Sequence, residues 1–148
     1  MELSELYSSK ILQIAANLEN IEPLKEFDAK VKKNSKICGS VVEVRLKLQE
    51  GVVSDYSHKV SACALGQTSA SIIAKNIIGS SEKELRHLRD EMVAMLKHDG
   101  EPPSGKWSDL QYLQPVKSYP ARHTSTLLVF EAIIACFDEI KKDNEAIS

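Results

Sequence analysis

The sequence predicts an α+β fold: a small antiparallel sheet flanked by amphipathic helices. Two observations lead there. Val41–Gln49 alternates strictly, with Val42, Val44, Leu46 and Leu48 on one side and Glu43, Arg45, Lys47 and Gln49 on the other, the pattern of a half-buried strand. Glu50-Gly51 then turns the chain, and Val52–Val60 returns as the second strand of a hairpin. Around this hairpin, apolar residues recur at helical spacing in three separate stretches.

The first stretch runs from about Leu3 to Leu18, with Leu3, Tyr7, Ile11, Ile14, Ala15 and Leu18 on one stripe and Asn20 and Pro23 ending it. Phe27–Lys36 follows and holds Lys30, Lys32, Lys33 and Lys36. Such a run is either a solvated face or an attraction for an acidic partner. On the return strand, the side bearing Tyr56, His58 and Val60 is the expected inner face, which makes His58 a satisfied, half-buried histidine.

After the hairpin, Ser61–Gly79 begins with Cys63, continues as a helix rich in small residues and closes on Gly79. A cysteine at a strand-to-helix junction sits at the positive end of the helix dipole, where a thiolate is favoured. The same residue also reads as a small buried side chain. Gly66–Ser71 is small and polar, permitting close approach by a neighbouring element or a ligand. Ser81 and Glu84 form a capping box. The helix they open buries Leu85, Leu88, Met92 and Leu96 and ends near Lys97. His98–Pro120, with four of the five prolines and the lone tryptophan, reads as a long irregular connection with a short helical turn at Asp109–Leu113. The last helix opens after Pro120 and buries Leu127, Phe130, Ile133, Ile134, Phe137 and Ile140, with Cys136 as a core residue.

The totals narrow the function classes. The 148 residues suit one domain, able to bury a core without disulfides. A net charge of −2 points to neither a nucleic-acid nor a membrane surface, and no apolar run approaches the length of a membrane span. The first residues lack the pattern of a secretory signal. Three widely spaced cysteines do not form a disulfide framework, and a reducing compartment, most simply bacterial cytoplasm, is expected. No phosphate-loop, dinucleotide, nucleophile-elbow, zincin or paired-cysteine motif occurs, and His58, His87, His98 and His123 show no metal-ligand spacing.

Four stretches in order now combine: NSKICGS at Asn34–Ser40, the Val41–Val60 hairpin, Cys63 ahead of a helix containing SAS at Ser69–Ser71, and YPARHTS at Tyr119–Ser125. Together they resemble the IscU/NifU-type iron–sulfur cluster assembly scaffold family, with the SufU-like branch, given the long insert before YPAR, as the nearest likeness. The resemblance covers roughly Leu3 to Phe137. It implies a third strand at about residues 27–33, in keeping with the marginal stability of a lone hairpin, helices packed on one face of the three-stranded sheet, and a single scaffold domain over residues 1–148.

It also implies a site. Family members carry a first cysteine in a CGD tripeptide, a second before the middle helix and a third at the start of the last helix. These groups hold zinc or a nascent iron–sulfur cluster and take sulfur from a cysteine desulfurase, before delivery to downstream apo-proteins. Cys38 matches the first cysteine and Cys63 the second, with Cys63 the expected sulfur acceptor. The aspartate position is Ser40 and the third cysteine is Ser125, so two ligand positions are degenerate. A neutral hydroxyl is a poor donor to zinc or cluster iron beside thiolate, imidazole or carboxylate. His123 is either a replacement ligand or an ordinary helix-start residue. Three readings follow: a divergent scaffold or sulfur acceptor, not an enzyme in the usual sense; a metal-free interaction partner in cluster assembly; and, ranked last, a thiol enzyme with Cys63 as nucleophile and His58 or His123 as base.

Overall fold

The structure is a computed structural model and describes residues 7–19, 21–36 and 39–147. Three strands, β1 (Ala29–Asn34), β2 (Val41–Gln49) and β3 (Val52–Ser61), form one antiparallel sheet in the order β1-β2-β3. Among the described residues four α-helices accompany it: α1 (Ser9–Ala16), α2 (Ala64–Asn76), α3 (Glu82–Lys97) and α4 (His123–Ile147). The expected α+β architecture, third strand included, is what the chain adopts.

The hairpin turns on Glu50 and Gly51, which have φ of 53° and 81°. Two successive positive φ values are the signature of the tight turn whose twist matches that of the flanking strands. A bulge between Lys47 and Leu48 shifts the register, so Leu48 faces Val53 while Lys47 faces Asp55. On the inner face lie Val42, Val44, Leu46, Val53, Tyr56 and His58, all buried. The outward face is crossed by the chain ahead of β1. Leu24 donates its N–H to Ser57 Oγ (3.1 Å) and its carbonyl accepts from Arg45 (2.9 Å), while the guanidinium of Arg45 stacks over Phe27.

The helices pack on the inner face, and α4 is their centre. Leu127–Phe130, Ala132–Ile134, Cys136 and Phe137 are all buried, so this helix is covered around most of its circumference, with Thr124 and Glu131 left on one narrow polar face. Cys136 is a core residue as expected. Its Sγ approaches the Val44 carbonyl at 3.7 Å, and burial pushes its thiol up to about 12. Ser81 caps α3, accepting from Glu84 N–H at 3.1 Å.

Three expectations need adjustment. The first helix spans Ser9–Ala16, capped by Ser8 Oγ accepting from Ile11 N–H at 3.2 Å; the expected start at Leu3 lies outside the described residues. The second helix stops at Asn76, and Gly79, at φ 89°, terminates the turn beyond it. The largest difference is the connection after α3. Gly105–Ser118 forms a 14-residue 3₁₀ helix, followed by a 3₁₀ turn at Pro120–Arg122. Runs this long are uncommon. Here Trp107, Leu110, Leu113 and Val116 fall every third residue and are all buried. One apolar row at the 3₁₀ period docks on α2 and α3, so tertiary packing stabilises the tighter helix. Trp107 Nε1–H donates to Glu84 Oε2 at 2.9 Å, which satisfies the one polar atom of a nearly buried ring.

Candidate functional site

One end of the sheet gathers chemistry from three distant stretches. Ser40 precedes β2, Cys63 follows β3 and stands at the N-cap position of α2 with no capping bond from its side chain, and Ser125 lies in the first turn of α4. Ser40 Oγ and Ser125 Oγ are 3.1 Å apart, and Cys63 Sγ lies 3.2 Å from Ser125 Oγ. Ser40 and Ser125 are buried, at 2% and 1% exposure, while Cys63 keeps partial access to solvent. The result is a thiol open to a reactant from one side and backed by two hydroxyls.

The small residues of α2 make this approach possible. A Cβ on Gly66 would meet the Ala62 Cβ at 2.9 Å, the Ser125 carbonyl oxygen at 3.3 Å and Ser125 Oγ at 3.4 Å. Ser69 Oγ–H donates to the Thr126 carbonyl at 2.8 Å, fastening α2 to the start of α4. The neighbour for which Gly66–Ser71 leaves room is therefore the first turn of α4. Ser40 is set by the turn before β2, where the Ser35 N–H donates to the Ser40 carbonyl (2.8 Å) and the Gly39 N–H to the Ser35 carbonyl (2.9 Å). Cys38, the first cysteine of the expected pair, lies outside the described residues.

The histidines are engaged elsewhere. His123 is buried and its Nε2–H donates to the Val116 carbonyl at 2.9 Å, which ties the start of α4 to the end of the 3₁₀ helix. His58 Nε2–H donates to the Glu19 carbonyl at 3.2 Å, and its Nδ1 accepts from the Tyr56 hydroxyl at 3.3 Å. Burial holds the His58 pKa below the usual imidazole value, opposed in part by the Glu19 carbonyl. Among the described residues neither ring hydrogen-bonds Cys63, so nothing there orients a base towards the thiol.

The donor set decides what the described cluster can hold. A closed zinc site takes four strong donors at about 2.0–2.3 Å. The cluster offers one thiol and two hydroxyls, and among the described residues no three His, Cys, Asp or Glu side chains converge on a metal position. These residues alone do not fit a tetrahedral metal centre. Their geometry suits a thiolate or a sulfur-bearing thiol instead. When Cys63 is charged, Ser125 O–H donates to sulfur and Ser40 O–H to Ser125, a chain in which each bond strengthens the next.

The class defined here is an α+β domain with three antiparallel strands, helices on one face, and a thiol at the helix junction where the sheet ends. The family model for the NifU-like N terminal domain matches residues 6–124, and the chain belongs to that family. An iron–sulfur cluster assembly scaffold protein IscU of Thermotoga maritima is 28% identical over 105 residues, covering 71% of this chain and 73% of that one. A protein of the same name from Streptococcus pyogenes is 24% identical over 103 residues, 70% of this chain and 65% of its own length. The crystal structure of a nitrogen-fixing NifU-like protein (N-terminal) from Brucella abortus is 47% identical and superposes with a TM-score of 0.92, covering 95% of this chain and 97% of that one. Among the described residues, no helix is long and apolar enough to cross a membrane.

Proposed function

We propose that this protein serves iron–sulfur cluster assembly as a sulfur-accepting scaffold, with Cys63 taking sulfur from a cysteine desulfurase in the cytoplasm. The observation that supports this reading is the contact of 3.2 Å between a part-exposed Cys63 thiol and the buried Ser125 hydroxyl, in a chain whose relatives are named scaffold proteins. The reaction balances without an outside oxidant. Cys63 sulfur attacks the outer sulfur of a persulfide on the donor. The donor's S–S bond breaks, a new S–S bond forms on Cys63, and the proton from the Cys63 thiol passes to the released donor thiolate. Ser125, backed by Ser40, holds the attacking sulfur in place and donates to whichever sulfur carries charge. Iron or zinc enters as cargo rather than as a resident cofactor. Cys63, with Cys38 from outside the described residues, supplies the thiols available to it.

The bond between Ser40 and Ser125 favours a second reading, in which the chain joins the assembly machinery as a metal-free partner, because both ligand positions are hydroxyls satisfied by one another. One experiment separates the two. The reduced protein is incubated with a cysteine desulfurase and free cysteine, and its intact mass is recorded. The sulfur-accepting reading expects a gain of one sulfur atom that is lost in Cys63→Ser. A complex that forms with no mass gain leaves the partner reading standing alone.

A further inference from the structure

Lys32, Lys33 and Lys36 lie along β1 and the turn after it, on the opposite edge of the sheet from β3 but at the same end as the thiol. All three are exposed, as is Lys59 across the sheet. The register places Lys32 and Lys59 on either side of Glu43, and Lys33 beside Val42, which pairs with Val60. Lys30 is ion-paired to Glu43 at 3.6 Å. Among the described residues Lys32, Lys33, Lys36 and Lys59 have no ion-pair partner. In a chain of net charge −2, this corner is locally basic.

Lysines on an edge strand discourage another strand from pairing with it, so a partner here would meet the ammonium groups rather than the backbone ladder. Position supplies the second half of the argument. From Cys63 to Lys33 is two strand spacings across and three residues along, about 14 Å. A protein that delivers sulfur to Cys63 must cover this end of the sheet. A standard interface occupies about 800 Å² on each partner, a disc of about 16 Å radius. Centred on Cys63, that disc reaches the lysine edge.

We propose that the Lys32–Lys33–Lys36 edge, with Lys59, is the docking surface for an acidic face of the protein that brings sulfur to Cys63. This rests on the sulfur-accepting reading for the partner's identity. The lysines steer the encounter and fix which way the partner sits, the usual role of rim charges.

The test compares the full chain with the triple reversal Lys32→Glu, Lys33→Glu and Lys36→Glu, and with a charge-matched control, Lys83→Glu, Lys97→Glu and Lys142→Glu. Binding to a purified cysteine desulfurase is measured by calorimetry at low and high salt, and sulfur loading of Cys63 by intact mass. The expected result is that the edge reversal raises Kd about tenfold at low salt and flattens its salt dependence, while the control leaves both unchanged. Loading at saturating donor should survive in the edge variant, since Cys63 is untouched. Equal affinities for the parent and the edge variant, or equal losses in both triples, would overturn the proposal. So would retention of the parent on anionic vesicles or duplex DNA together with unchanged desulfurase affinity. Charge-dependent binding without any sulfur on Cys63 would instead sink the sulfur-accepting reading and leave the docking surface in place.

Discussion

Ser40 and Ser125, 85 residues apart in the chain, share a hydrogen bond of 3.1 Å between their buried hydroxyls. Each stands where the family resemblance implies a metal ligand. Replacing them should therefore change what the pocket binds. Ser40→Asp with Ser125→Cys adds a carboxylate and a thiolate to the thiol already present. Zinc affinity, read by competition with a chromogenic chelator, should rise by well over tenfold, since complete structural sites bind with about 10–16 kcal/mol in small peptides at neutral pH. Equal, weak affinities would show that the geometry of the pocket has departed from a metal site as well.

Gly66 is the residue that lets the first turn of α4 come so close. Gly66→Ala gains helix propensity of about 1 kcal/mol but forces a Cβ to 2.9 Å from Ala62 and into contact with Ser125. Overpacking of this kind costs about 1–3 kcal/mol. The net expectation is a modest loss of stability in urea unfolding, with Ser125 displaced from Cys63. An increase in stability would mean that the two helices separate at little cost.

His58 gives the fold a pH dependence of predictable sign. Its folded pKa lies below the ordinary histidine value because burial disfavours the imidazolium. The unfolded chain thus binds the proton more readily. The stability contributed by neutral His58 is fully present above the unfolded pKa of about 6.5 and falls away as pH drops towards the folded value, by at most about 1.4 kcal/mol per pH unit for one proton. Protonation also removes the Nδ1 lone pair that accepts from Tyr56. Urea unfolding between pH 7.5 and 5.5 should show this slope in the parent and a weaker one in His58→Gln; identical slopes would remove His58 from the account.

How much of this was legible in the sequence differs by element. The β2 strand and the α3 cap were readable because alternation and a capping box are local patterns whose tertiary setting agrees with them. The 3₁₀ helix was not, although Trp107, Leu110, Leu113 and Val116 spell its period, because prolines and loop residues around them mask a three-residue repeat. The burial of Ser57 was equally hidden, since its cover comes from Leu24, 33 residues away. Within the site, Cys63 declared itself through its place between strand and helix. Its bond to Ser125 spans 62 residues, a separation no periodicity reveals, and only the ordered set of motifs brought the serines into view.

The 3₁₀ row offers a direct stability check. Leu110 and Leu113 are fully buried, so Leu110→Ala should cost about 2–5 kcal/mol, whereas Gln111→Ala, on the exposed side, should stay within about 0.5 kcal/mol. Similar small losses for both would contradict the packing described for the segment.

The central claim is that Cys63 receives sulfur while its hydroxyl neighbours hold it. The most direct measurement is to map the added sulfur by peptide mass spectrometry after reaction with a cysteine desulfurase and cysteine. The account predicts a persulfide on the peptide bearing Cys63, none on buried Cys136, and a reduced yield at early times in Ser125→Ala. Sulfur found on Cys38 alone, or on no cysteine while a stable complex with the desulfurase forms, would contradict it.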